Sequence, residues 1–240
     1  MQIIPVLDLK GGVVVRGQAG DRTNYRPIQT LLSASPEPVA VARGLAGLHP
    51  FDRFYIADLD RIEGRGDNNH ALAALRAAMP DVELWLDAGF AGAAEGRVAL
   101  AEPQVTPVFG SETLAGVEEL EALAGEPRVV LSLDFGAEGF RGPAALLDRP
   151  DLWPRRLIVM TLARVGSDAG PDLERLRWVL DRAEGRNVYA AGGVRGADDV
   201  DRLEAIGAEG VLVASVLHRG GLPAPDLDRW AAAGGLRGGV

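Results

Sequence analysis

Apolar residues along this chain gather in eight short runs, near 2–7, 53–57, 82–86, 105–109, 128–133, 155–160, 187–191 and 210–213, each followed by turn-forming residues. Between the runs, Leu, Ala and Val recur at helical spacing near 37–48, 69–79, 92–101, 114–124, 142–148, 172–184, 197–207 and 225–232. Asp172, Asp198 and Asp226 stand where three of these helices begin, next to Pro171, Ala197 and Pro225. Strands that alternate with helices require right-handed parallel crossovers. Eight such units close most naturally as an α/β (β/α)8 barrel, with a doubly wound open sheet as the alternative.

Two of the runs, IIPVLDLKGG and VVLSLDFGAEG, end on an aspartate followed closely by glycine, Asp8 and Asp134. Each reads as a buried strand carrying one carboxylate to its C-terminal end, and each opens one half of the chain. The halves also align beyond these strands. Asp58-Leu59-Asp60 falls opposite Thr161-Leu162-Ala163, Ala88-Gly89-Phe90 opposite Gly192-Gly193-Val194, and Gly110-Ser111 opposite Ala214-Ser215, at offsets of 103, 104 and 104 residues. The pattern predicts one domain over 1–240 built from two half-barrel repeats, about 1–124 and 125–233. Asp8 and Asp134 are 126 apart, so the first half carries about 22 additional residues after its first strand. That segment, Gly17–Ser35, mixes glycine, polar residues, Arg22, Arg26 and Tyr25. It reads as a lid over a charged ligand, or as a surface hairpin continuing Val13-Val14-Val15.

Composition narrows the class. A net charge of −9 argues against general affinity for nucleic acid or anionic membrane, and no apolar run is long enough to span a bilayer. The absence of cysteine removes disulfides and thiolate metal sites, and the cytoplasm is the expected location. Lys10 is the single lysine among 25 basic residues, two positions after Asp8, which marks it as a candidate ammonium near a carboxylate or phosphate. The tail Gly234–Val240 is glycine-rich and is expected to fray.

In a barrel, chemistry sits at the C-terminal ends of the strands. Asp8 and Asp134, on the first and fifth strands, would face each other across the mouth, where one can take a proton while the other gives one. Gly192 and Gly193 after the seventh strand and Ser215 after the eighth suit phosphate held by bare backbone, and Gly110 with Ser111 would form the counterpart in the first half. Asp58, Asp60 and Glu63 could hold a divalent ion, or pair with Arg61 and Arg65. His49, His70 and His218 share no ligand spacing and read as structural, and Trp85, Trp153, Trp178 and Trp230 as packing residues.

The segments Ile4–Asp21, Phe54–Asp60, Val108–Glu112, Ser132–Phe135 and Ala190–Ser215 resemble the histidine-biosynthetic half-barrel family, which comprises the HisA isomerase and the HisF cyclase. The DLKGG start, Arg16 and Gln18-Ala19-Gly20-Asp21 are more similar to the isomerase. The resemblance implies a cytoplasmic isomerase performing an Amadori rearrangement of a phosphorylated, ribosylamine-like small molecule by acid–base catalysis. In it Asp8 is the base, Asp134 the acid and Thr161 helps orient substrate; no metal or organic cofactor is implied. The chain departs from the family at Asp87-Ala88-Gly89-Phe90-Ala91, where the first phosphate loop has three glycines and then an arginine, and at Arg164–Asp172, which lacks an Arg-Asp-Gly-Thr run. Ala214-Ser215 stands in place of the usual glycine at the eighth strand. These departures resemble HisA/HisF-related proteins encoded beside tetrahydromethanopterin genes, implying a paralogue with a different phosphosugar, or a non-catalytic barrel that binds a phosphate ligand.

Overall fold

The computed structural model describes residues 1–18, 20–167 and 169–235. Eight parallel strands run β1 Gln2–Lys10, β2 Arg53–Asp58, β3 Glu83–Asp87, β4 Val105–Gly110, β5 Val130–Gly136, β6 Arg156–Thr161, β7 Asn187–Ala191 and β8 Gly210–Val213. Each pairs with its neighbour in sequence, and β8 pairs back onto β1 through Gln2↔Gly210 to Pro5↔Val213, which closes the barrel. All eight fall within three residues of the runs read from the apolar pattern.

Helices α1 Pro38–Leu48, α2 Asn69–Ala78, α3 Ala93–Leu100, α4 Glu118–Glu121, α5 Ala145–Asp148, α6 Leu173–Leu180, α7 Ala197–Ala205 and α8 Ala224–Gly235 follow the strands. Asp172 caps α6 by accepting from the Arg175 amide, whereas Asp198 and Asp226 lie inside the first turns of α7 and α8. Two helices are much shorter than their periodicity suggests. Gly116 and Gly125 flank α4, and Pro143 and Pro150 bracket α5, so helix propensity is lost at both ends. Leu120 and Leu146 are nonetheless buried, because the apolar face packs on the barrel even where the helix does not extend. Val13–Arg16 and Arg26–Pro27 form the hairpin on β1 that continues Val13-Val14-Val15, one of the two readings of that segment, whereas Gly139–Arg141, which folds back on β5, was not expected from spacing. Residues 236–240 of the expected frayed tail lie outside the described residues, as do Ala19 and Asp168.

Alternation along each strand separates two cores. Leu7, Leu9, Phe54, Ile56, Leu131 and Leu133 face the helices, and Ile4, Tyr55, Trp85, Val108, Ile158, Tyr189 and Leu212 fill the barrel. Below this interior layer, Glu83 accepts from Arg53, Arg156 and Thr106, and both guanidiniums lie over the Trp85 ring, at 5.0 and 5.7 Å. Burial opposes ionisation of Glu83, but those hydrogen bonds and charges outweigh it and hold the carboxyl below its ordinary value. The N-terminal end of the barrel is thus plugged, and a cavity lies at the opposite end, lined by residues at the C-terminal ends of the strands.

Candidate active site

The layer above the plug contains Val6 and Asp8 on β1, Ala57 on β2, Asp87 on β3, Asp134 on β5, Met160 on β6 and Ala191 on β7, all lining one cavity. Asp8, Asp87 and Asp134 sit on alternate strands with the same inward parity. Three carboxylates therefore converge on one cavity, Asp87 and Asp134 buried in its wall and Asp8 half-buried beside them.

Asp134 is held firmly. Ser132 Oγ donates to Oδ1 at 2.6 Å, while Ser111 Oγ and the Glu112 amide approach Oδ2 at 3.3 and 3.2 Å. Burial is the largest influence on its proton, opposed by the Ser132 hydrogen bond and reinforced by the charges of Asp87 and Glu112; the pKa is pushed up to about 7. Asp87 accepts from the Tyr55 hydroxyl at 3.0 Å and the Gly89 amide at 3.1 Å, and burial raises its pKa to about 6. Gly110 faces the space between these two groups: a β-carbon there would stand 3.2 Å from Asp134 Oδ2 and 3.3 Å from Asp87 Oδ2.

Asp8 differs from both. No hydrogen-bond donor among the described residues reaches its carboxylate, so it presents open oxygens to the cavity. Burial lifts its pKa to about 7, against the pull of Arg22 and with a push from Asp87. A carboxylate that is neutral or charged with nearly equal ease at neutral pH can exchange protons in both directions. Replacing Ser132 by alanine is expected to raise the Asp134 pKa further, because it removes a donor that favours the ionised form. A carbon-detected NMR titration of the Asp134 carboxyl, before and after Ser132→Ala, measures that shift.

The segment after β1 covers this mouth. Arg22 and Tyr25 line the cavity, with Arg22 in a short turn that Asp21 caps through Thr23 and Asn24. Arg22 pairs with Glu112 at the end of β4, which ties the segment across the opening. Its backbone carbonyl accepts from Lys10 Nζ at 2.8 Å, and the same ammonium meets Glu63 at 3.1 Å. Lys10 is therefore a strut beneath the covering segment rather than a cavity-lining group.

The other residues singled out by sequence divide similarly. Gly192, Gly193 and Ser215 line the cavity, joined there by Val194, Ala214 and Arg219. Gly192 and Gly193 have φ of 103° and 85°, and a β-carbon on Gly193 would stand 2.3 Å from the Gly170 carbonyl oxygen, so glycine is required by both conformation and space. Ser111 is buried and engaged with Asp134 and the Arg141 carbonyl. Thr161 is buried behind the cavity wall, and its neighbour Met160 occupies the inward position on β6. Asp58 accepts from Asn68 and the Arg61 amide, Asp60 from the Gly11 amide, and Glu63 pairs with Lys10 and Arg65 at 3.1 and 3.6 Å, so these carboxylates brace turns. His49 pairs with Asp228 at 2.9 Å, and His218 lies 3.1 Å from the Thr30 hydroxyl. Trp85 and Trp230 are fully buried in the two cores. Arg22 and Tyr25 belong to the segment read as a lid over a charged ligand, whereas Glu112, Met160 and Arg219 were not picked out as site residues in the sequence, because nothing in their own spacing marks them.

The closed barrel, with opposed carboxylates at the C-terminal mouth and a glycine turn beside them, defines a (β/α)8 protein with a carboxylate-lined cavity. The family described as "Histidine biosynthesis protein" matches residues 2–223, and the chain belongs to it. It is 29% identical to an uncharacterized protein of Methanocaldococcus jannaschii over 92% of this chain and 94% of that one. It is also 30% identical to phosphoribosyl isomerase A of Mycobacteroides abscessus, over 93% and 96%, and 28% identical to the protein of that name from Streptomyces avermitilis, over 91% and 92%. Among the described residues, no helix is long and apolar enough to cross a membrane.

Proposed function

We propose that this chain is an isomerase of the family that carries out an Amadori-type aldose–ketose rearrangement on a phosphorylated, ribosylamine-like small molecule. The observation that carries the reading is the pair Asp8 and Asp134, inward on strands one and five of a closed barrel, the first with no hydrogen-bond donor among the described residues and the second hydrogen-bonded in place. Asp134, protonated, gives its proton to the ribose ring oxygen as the ring opens to a Schiff base. Asp8, ionised, removes the proton on C2, and the resulting enaminol collapses to the aminoketose as C1 gains that proton back from Asp8 and the C2 hydroxyl gives its proton to Asp134. Arg22 and Tyr25 cover the mouth and limit water, and Gly192, Gly193 and Ser215 seat the phosphate. Relatives named as isomerases support the class of reaction.

A second reading, a paralogue acting on a different phosphosugar, is favoured by one specific observation: Asp87 projects a carboxylate into the cavity ahead of Ala88-Gly89. Expression in a histidine auxotroph lacking the corresponding isomerase separates the two. Growth without histidine, lost in Asp8→Asn, is the result expected of the histidine-pathway reaction. Failure to grow with soluble, folded protein present assigns the chain to the second reading.

A further inference from the structure

Positions 104 residues apart do the same local work in the two halves. Glu95 accepts from the Ala91 amide at 2.7 Å, and Asp199 accepts from the Arg195 amide at 3.0 Å. The turns that follow can therefore be compared residue by residue. After β7, Ala191 contributes only a methyl group, and Gly192 and Gly193 open onto the cavity. After β3, the counterpart of Ala191 is Asp87, whose carboxylate enters the cavity. Ala88 and Gly89 are not among the residues that line it, and a β-carbon on Gly89 would stand 2.9 Å from Ile62 Cα.

The second pair of turns differs in the same sense. After β8, Ala214 and Ser215 line the cavity. After β4, the Ser111 hydroxyl is engaged with Asp134 and the Arg141 carbonyl, and the next amide, that of Glu112, is given to Asp134 Oδ2 at 3.2 Å. At the start of α3 the Ala93 amide already holds the Glu119 carboxylate at 2.7 Å. In the first half the Gly89, Ala91, Ala93 and Glu112 amides are thus already given to the chain's own carboxylates, and displacing Asp87 or Asp134 would leave a buried charge unpaired. Arg22 lines this end too, but its guanidinium is paired with Glu112 and also faces Asp8 and Asp87.

We propose that the cavity accepts a substrate with one phosphate, seated at Gly192, Gly193 and Ser215, whose far end is an uncharged or cationic hydrogen-bond donor. Asp87 and Glu112 are the residues that refuse a second phosphate. The proposal rests on the reading of a phosphorylated substrate given above and adds its charge distribution. An anion placed beside Asp87 is repelled across a few ångströms of poorly solvated space, and a hydroxyl or ammonium there finds an acceptor.

Titration calorimetry with inorganic phosphate, ribose 5-phosphate and ribulose 1,5-bisphosphate tests this. The expected result is one phosphate per chain, lost in Ser215→Asp, and bisphosphate binding no tighter than monophosphate binding. The double variant Asp87→Gly, Glu112→Gln is expected to bind the bisphosphate roughly tenfold more tightly, as relief of one close like-charge contact implies. Two phosphates bound per wild-type chain, or a wild-type preference for the bisphosphate that disappears in Arg22→Ala, would overturn the proposal and leave the isomerase reading standing. No phosphate bound at all would overturn both. Thermal melts of each variant confirm that loss of binding is not loss of fold.

Discussion

Asp8→Asn and Asp134→Asn are each expected to lower turnover of a phosphorylated ribosylamine substrate by about 10²–10⁴-fold, the range for loss of a positioned general acid or base. Both substitutions preserve shape while removing the proton-transfer function. Asp8→Asn should also make the protein more stable at pH 8. In the folded state this carboxyl ionises near pH 7, far above the ordinary aspartate range, so keeping it charged at pH 8 opposes folding. Removing that charge is expected to add on the order of 2–4 kcal/mol to the unfolding free energy at pH 8. Activity assays and urea unfolding on the same preparations check the pair of effects. A variant with full activity would remove Asp8 from the chemistry, and an inactive variant that also unfolds more easily would point to a structural role.

Raising the pH from 6.5 to 8 should destabilise the wild-type protein. Asp8 and Asp134 have pKa values raised to about 7, and Asp87 to about 6, so between the unfolded aspartate value and these values the folded state holds more protons than the unfolded one. Stability contributed by protonation is complete below the unfolded pKa and is lost as pH rises through the folded pKa. His218 acts in the opposite sense, since burial lowers its pKa to about 4 and its neutral form favours folding as pH rises to 6.5. Above 6.5 only about the last few tenths of a kcal/mol of that opposing effect remain, so the carboxylates dominate the slope. Their titration corresponds to a loss of about 1–2 kcal/mol over that window. Urea midpoints at constant ionic strength in phosphate-free buffer measure it, and the slope should flatten in Asp8→Asn. A pH-independent midpoint would mean that the cavity solvates these groups as water does.

The two effects share one cause. A site that keeps three carboxylates in poorly solvated space gains acids and bases that exchange protons near neutrality and gives up stability there. The Tyr55 hydroxyl and the Ser132 hydroxyl limit that loss at Asp87 and Asp134. No described side chain does the same for Asp8, consistent with a group whose partner arrives with the substrate.

Local sequence determined the barrel and the opposed acids. Each strand is a short apolar run bounded by turn residues, and alternation with amphipathic segments leaves parallel closure as the natural outcome, so the strands and the strand-end positions of Asp8 and Asp134 were legible without coordinates. Shorter-range signals were less decisive where glycine or proline cut a helix, as around α4 and α5. What the tertiary structure alone decided is how each strand-end residue is spent. A shift of one position on β6 sends Met160 into the cavity and Thr161 behind it, because side chains alternate across a strand. Lys10 read as an ammonium near a carboxylate or a phosphate, and only the folded chain shows that the carboxylate is Glu63, with the Arg22 carbonyl as second partner. Asp87 read as a fault in a phosphate loop, and in the folded chain it is the third inward carboxylate. Arg22 meets Glu112 across 90 residues of sequence, and Ser111 reaches Asp134 across 23. Such contacts depend on which strand ends become neighbours when the sheet closes, and no local pattern of apolar and polar residues records that.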